Sequence, residues 1–258
     1  MFEDTLLKEY KFKSVYNFLS IISDAIENKF DFWNFDGEQF VESALRFNKV
    51  SLLHIYVSST LYCYYSRVFR KSGDLIEEDD IEWWINLMKE YGIKLKKPKS
   101  CDDYDFAWKW FNMNEEKFMQ FFDSISDEII HILFNDKLLL VKFNQIVRNV
   151  LLDEDGTYAD IVEWPKDSRN EDGTIKRCHI PKWVKRAVFH RDKGHCVFCN
   201  RDLSGIISIL HNNNFDHIVP LKDYGTNDPC NIQLACEDCN KKKGAKNIIA
   251  KYLYQSWW

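Results

Sequence analysis

Four cysteines arrive as two Cys-x-x-Cys pairs, Cys196/Cys199 and Cys236/Cys239, with thirty-six residues between the pairs. One tight turn lets two thiolates reach one ion, and two such turns supply the tetrahedral four-thiolate set that zinc prefers in closed structural sites. Four sulfurs leave no open position, so this ion is structural. Between the pairs lies Asp216-His217 in an apolar-flanked segment, then Asn231, with Asn240 directly after the last cysteine. A carboxylate and an amide oxygen suit a hard cation such as Mg2+ or Mn2+ and leave coordination positions free. The pattern is that of a zinc clip holding a second, oxygen-ligated metal against a phosphodiester. A redox role for the pairs would want a βαβ context, which the flanks do not offer. Cys178, Cys230, His190 and His195 stand unpaired and are read as bystanders to the clip.

The elements that must position these groups follow from local sequence. Phe215–Pro220 reads as a strand stopped at a turn by Pro220. Asn231–Ala235 reads as the returning strand, and Glu237 onward, with Asn240 and three lysines, as a helix. Strand, strand, helix is an order in which Asp216 and Asn240 can meet at one cation. The zinc closes the loop between the knuckles, where a small module could not otherwise hold its shape.

These residues together resemble the HNH (ββα-metal) endonuclease family, in its zinc-bearing four-cysteine branch. The resemblance covers roughly residues 178–250. It implies that Asp216 is the metal-binding acid, His217 the general base, Asn231 the residue that holds the base-bearing loop, and Asn240 the second metal ligand. A histidine stands at that last position in the members that gave the family its name, so this chain is an H-N-N variant. A neutral imidazole can take a proton from water near pH 7, and the ion stabilises charge on the phosphoryl oxygens. The resemblance further implies single-metal cleavage leaving 5′-phosphate and 3′-hydroxyl ends. One copy of the site would nick one strand, so a double-strand break would need two protomers or two events.

Composition sets the frame around this site. With 258 residues, 45 % apolar and 16 % aromatic, the chain can bury a sizeable core. The net charge of −5 excludes a generally basic nucleic-acid binder. Residues 178–246, however, carry eleven Lys/Arg against seven Asp/Glu, whereas residues 1–177 carry twenty-three against thirty-three. A cationic end on an acidic body suits phosphate contact confined to that end. Lys241, Lys242, Lys243, Lys246 and Arg186 are the candidate contacts, the alternative being a solvated cationic face. The N-terminus lacks the cations and small-residue cleavage site of a signal peptide. The uncharged stretch Val50–Ser66 is short for a membrane span and polar in part, so a buried helix or strand is expected. The reading is a soluble, cytoplasmic protein.

Residues 1–152 read as a mainly helical domain, 153–177 as an acidic linker, and 178–258 as the nuclease-like domain, giving an α+β chain. Apolar residues recur at helical spacing from Leu6 to Ile22. The pattern breaks at Asn34–Gly37, and Ser72–Asp74 signals a loop. A helix ends near Gly92, and two more are expected over about Asp103–Phe122 and Asp127–Leu151. A short strand is expected at Ile161-Val162. Pro181 should open a helix with Trp183, Ala187 and Val188 inward and Lys182, Lys185, Arg186 and Arg191 outward. His54 reads as a satisfied core residue, and Trp83, Trp84, Trp108 and Trp110 as core or as stacking surfaces for bases.

The leading expectation is a metal-dependent nuclease acting on DNA, resembling restriction, anti-phage or mobile-element nucleases. The helical domain would then supply targeting, oligomerisation or a partner-protein contact. The alternatives are a non-cleaving zinc-held nucleic-acid-binding module, and a nuclease dormant until a partner signals through the helical domain.

Overall fold

The computed structural model describes residues 9–30, 35–71, 75–98, 105–153, 162–205 and 214–250. The sequence signals at Leu6-Leu7, Ser72–Asp74, Asp103 and Ile161 lie outside them. Among the described residues, nine helices and one two-stranded antiparallel sheet make an α+β fold.

Seven helices form the body: α1 (Val15–Glu27), α2 (Gly37–Leu45), α3 (Leu52–Lys71), α4 (Glu78–Glu90), α5 (Phe106–Met113), α6 (Glu115–Leu133) and α7 (Lys137–Leu152). The break at Asn34–Gly37 resolves at its described end as a cap, Asp36 accepting from Glu38 N and Gln39 N at 2.9 and 3.1 Å. The uncharged stretch becomes the helix α3, not a strand. Its buried residues Leu53, Tyr56, Val57 and Leu61 follow helical spacing and pack mainly on α6. Gly92, at φ +78°, lets the chain leave α4 in the left-handed region.

The two helices expected between Asp103 and Leu151 are three. Asn114 interrupts the first, its side chain folding back onto the Trp110 carbonyl. Asp136 starts the last, capping Leu139 N at 2.9 Å. Between them the stripe Phe118, Phe122, Ile125 and Ile129 keeps α6 helical straight through Ser124–Asp127.

Aromatic rings dominate this core. Trp84 meets Tyr65 edge-on at 4.8 Å between centroids, and Phe69 stacks on Phe111 at 4.8 Å. Trp84 and Trp110 are buried, and Trp110 Nε1 donates to the Lys96 carbonyl, so these rings are structural and not surfaces for bases. His54 is likewise satisfied, by Ser51 on one side and Asp127 on the other.

The remainder is α8 (Lys182–Arg191), β1 (Phe215–His217), β2 (Ile232–Leu234) and α9 (Glu237–Lys243). Pro181 precedes α8 as expected. Lys185 and Arg191 are buried, against expectation, and Val184 joins Val188 as a fully buried position of α8's inner face. Arg191 stacks on Phe134, and its guanidinium binds Asp192 and the Ile232 carbonyl. Val162 is described outside any strand.

The region expected as a linker does not leave a gap in packing. Ile175, Ile218 and Cys230 belong to the same apolar cluster as the body helices. Polar bonds cross as well. Asp228 caps α3 at Leu52 N (2.7 Å), Asn144 donates to the Cys230 carbonyl (3.0 Å), and Arg148 pairs with Asp223 (2.7 Å). No described helix is long and apolar enough to cross a membrane.

Candidate active site and zinc clip

The four cysteines converge. Cys196, Cys199, Cys236 and Cys239 have their sulfurs within 4.8 Å of one another, and Cys199 Sγ lies 3.7 Å from Cys236 Sγ. A tetrahedron of sulfurs at about 2.3 Å from zinc has edges of about 3.8 Å, so the spacing fits a shared ion. The first knuckle closes through Asn200 N to the Cys196 carbonyl, and Asn200 takes the left-handed conformation that the turn needs. Val197 N donates to the Leu234 carbonyl, which ties this knuckle to β2. Burial and the neighbouring Cys236 and Cys199 hold the Cys239 thiol well above its ordinary range. Four sulfurs packed this closely need a cation before all can be thiolates. Cys178 bonds the Leu45 carbonyl and Cys230 lies against Ser51, so neither joins the cluster. His195 turns to the Lys193 carbonyl.

The hairpin carries Asp216 and His217, the residues expected to react. β1 and β2 pair antiparallel with Asp216 opposite Gln233 and His217 opposite Ile232. Gln233 Nε2 donates to Asp216 Oδ2 at 2.8 Å, a cross-strand contact that the pairing register dictates. Lys243, the last residue of α9, reaches the same Oδ2 at 2.9 Å and the His217 carbonyl at 2.6 Å. Asp216 is 7 % exposed, and both contacts fall on Oδ2, so Oδ1 has no hydrogen bond. Burial raises the Asp216 pKa, with Lys243 opposing the rise.

His217 is 1 % exposed, and neither ring nitrogen has a hydrogen bond of good geometry. Burial, and then the charges of Arg177 and Lys243, push its pKa down to about 3, while the nearby Asn227 amide works weakly the other way. A buried imidazole with two orphaned nitrogens is costly unless something reacts with it.

Asn231 locks the loop beyond β1. Its Oδ1 accepts from Val219 N at 2.8 Å, and its Nδ2 donates to the Val219 and Thr226 carbonyls at 3.0 Å. Asn240 stands three residues before Lys243 on α9, and residues at that spacing share a helix face. The face of α9 that reaches Asp216 therefore also carries Asn240.

The donor set fits a hard cation: a carboxylate oxygen without a partner, an amide on the adjoining helix face, and positions left for water and phosphate. The fit is at Oδ1, because Oδ2 is taken by Lys243 and Gln233.

The expected phosphate contacts divide. Lys241, Lys242, Lys246 and Arg186 are exposed, with Lys241 paired to Glu237 at 2.7 Å. Lys243 is 2 % exposed and faces Asp216, so the expectation of an outward cation fails there. Its place at i+3 from Asn240 turns it inward, and its long stem lets it bury while the ammonium finds a carboxylate. Sequence reading also missed Gln233, which strand register would have placed opposite Asp216, and Arg177, for which spacing gives no signal.

Residues 196–246 match the family model described as HNH endonuclease. No curated protein and no solved structure matches the chain. The region from the first knuckle to just beyond α9 is thus similar to HNH endonucleases, a likeness that supports an action on nucleic acid in general.

Proposed function

We propose that the protein is a metal-dependent endonuclease that hydrolyses phosphodiester bonds in DNA, with Asp216 and Asn240 holding one Mg2+ or Mn2+. The observation that supports this best is the adjacency on β1 of a carboxylate with one oxygen outside any hydrogen bond and a buried imidazole whose two nitrogens have no hydrogen-bond partner. When bound, the cation would supply charge stabilisation to the phosphoryl oxygens and the departing 3′ oxygen.

The chain's own residues do the rest. His217 is neutral at pH 7 and so can accept the proton of an attacking water. A phosphate entering beside it raises its proton affinity toward the ordinary histidine range, because an anion favours the imidazolium. Asn231 keeps the strand end from fraying, and the sulfur cluster holds the far end of β2. Gln233 and Lys243 fix the Asp216 carboxyl in one orientation. Lys241, Lys242 and Lys246 lie outward on and just beyond the same short helix, where they can meet the DNA backbone.

The test is a plasmid-nicking assay in Mg2+ or Mn2+, comparing the full chain with His217→Ala. Nicking should vanish in the variant with about one zinc per chain retained in both proteins. Equal nicking by the two would place the activity elsewhere. The dormant-nuclease reading draws on the near-complete burial of His217. It requires wild type to stay inactive alone and to nick only when a partner is added.

A further inference from the structure

Arg177 lies nineteen residues before the first zinc ligand, in the segment that sequence reading treats as linker. Its setting is built. Asn227, fully buried, accepts from Cys178 N at 3.2 Å and donates to the Lys176 carbonyl at 2.8 Å, so one amide grips the backbone on both sides of Arg177. Asn227 is itself anchored to the body, donating from Nδ2 to the Leu45 carbonyl at 3.0 Å and from its backbone to the Ala44 carbonyl at 2.9 Å.

The neighbours on either side of Arg177 turn the same way. Lys176 Nζ goes to the Asp167 carbonyl and Cys178 Sγ to the Leu45 carbonyl, and both residues line a groove of about 850 Å³ beside α2. In non-helical chain, a residue whose two neighbours face one side faces the other. Arg177 does not line that groove. It is exposed, its side chain has no hydrogen bond or ion pair, and its charge is felt at both Asp216 and His217. Asn227 directly follows Thr226, whose carbonyl accepts from Asn231 Nδ2 while Asn231 Oδ1 holds Val219 N, so the residue that grips Arg177 belongs to the loop clamped against the strand end that carries His217.

An unpaired guanidinium whose backbone is anchored to the loop that follows a carboxylate–imidazole pair has one evident use. Its planar fork matches two oxygens of a phosphate, and its fixed charge favours the anion where it must react. We propose that Arg177 binds the scissile phosphate of the nucleic acid. The helical body thereby completes the site, because the end of α2 fixes Asn227, and Asn227 fixes Arg177. This inference rests on the nuclease reading above, and the assignment of Arg177 goes beyond it.

The experiment uses the full chain, as wild type, Arg177→Ala and Arg177→Lys. Binding of a fluorescein-labelled DNA duplex is followed by anisotropy in EDTA at several salt concentrations, and plasmid nicking is followed in Mn2+. Zinc content and melting temperature should match across the three, since the side chain is exposed and unpaired. Losing one phosphate contact should lower the slope of log affinity against log salt by about one in Arg177→Ala. Nicking should fall tenfold or more. Arg177→Lys should restore the slope but only part of the nicking, because the charge remains and the fork is gone.

An unchanged slope, with or without lost nicking, overturns the phosphate contact. A lowered slope with unchanged nicking places the contact away from the scissile bond and overturns the assignment. A wild type that binds without nicking sinks the nuclease reading and the scissile assignment with it. If wild type and Arg177→Ala both nick, only the role of Arg177 falls.

Discussion

The helical body and the hairpin region are held by different physics. In the body, rings fill space: Phe18, Phe69, Trp84, Phe111, Phe118, Phe121 and Phe122 form a chain of edge and stacked contacts. In the hairpin region the strands are three residues each, and the apolar cluster beneath them is small. Shape there depends on sulfur and on buried polar clamps: Asn227, Asp228, Asn231 and Asp192. A region that holds an imidazole without partners, and a carboxylate bonded through one oxygen alone, cannot rest on hydrocarbon, so it fixes its backbone by specific bonds. The body can lose a methylene and relax; the hairpin region can lose an atom and come apart.

Removing the metal from the sulfur cluster should separate the two most sharply. Zinc binding in small metal-held domains is worth about 10–16 kcal/mol, far more than any single clamp. Chelation, or Cys236→Ser, should abolish nicking and open residues 196–246 to protease. The melting transition of the body, followed through its buried tryptophans, should persist at a lower temperature. Joint loss of both regions in one transition would show that the shared apolar cluster at Ile175, Ile218 and Cys230 makes them a single cooperative unit.

A matched pair of substitutions comes next. Phe118→Ala empties a fully buried ring position and should cost about 3–5 kcal/mol. Asn231→Ala removes one small side chain but strands Val219 N and two carbonyls, at about 1–3 kcal/mol for each buried group left unpaired. The stability losses should therefore be comparable, as read by urea unfolding. Nicking should separate them: below the onset of unfolding, Phe118→Ala should stay within a few-fold of wild type, and Asn231→Ala should fall by tenfold or more. Equal activity in both would mean that the loop beyond β1 does not need its clamp.

The same contrast decides what could be read from sequence. The sulfur pairs and the strand–strand–helix order were legible because doubled Cys-x-x-Cys spacing has few other uses, whereas Asp216-His217, an ordinary strand end by itself, drew its meaning only from lying between those pairs. The buried face of α3 was legible only as apolar, since β-branched and aromatic residues serve helix or strand until α6 supplies a partner. The inward turn of Lys185, Arg191 and Lys243 was not legible. Sequence treats a cation as surface, and only a partner from another element reverses that: the Ile232 carbonyl and the Phe134 ring for Arg191, Asp216 for Lys243. Arg177 lay beyond reach for a related reason. The role proposed for it depends on Asn227, fifty residues downstream, gripping a backbone that composition marks as linker.

The smallest effect is in pH. His217 in the fold has its pKa pushed down to about 3, and in the unfolded chain it titrates near 6.5. The unfolded state therefore binds the extra proton between those values, so this group's contribution is complete above pH 6.5 and is lost as pH falls toward 3. Asp228 works the other way. Burial raises it to about 6, the folded state holds its proton more tightly, and its contribution grows as pH falls from 6 toward 4. Among its described residues the body offers no counterpart: its tyrosines Tyr62, Tyr65 and Tyr91 are pushed up and titrate above neutral, and Asp105 is lowered but exposed. Acid sensitivity between pH 7 and 4 should thus reside in the hairpin region, where His217 is opposed by the raised carboxyls of Asp228 and Asp216. In urea unfolding of the zinc-loaded protein, His217→Gln should remove the loss on acidification and leave a slight gain, while Asp228→Asn should steepen the loss. If both variants track wild type across that range, the imidazole is already solvated in solution, and the closed arrangement around it is not the one that governs stability.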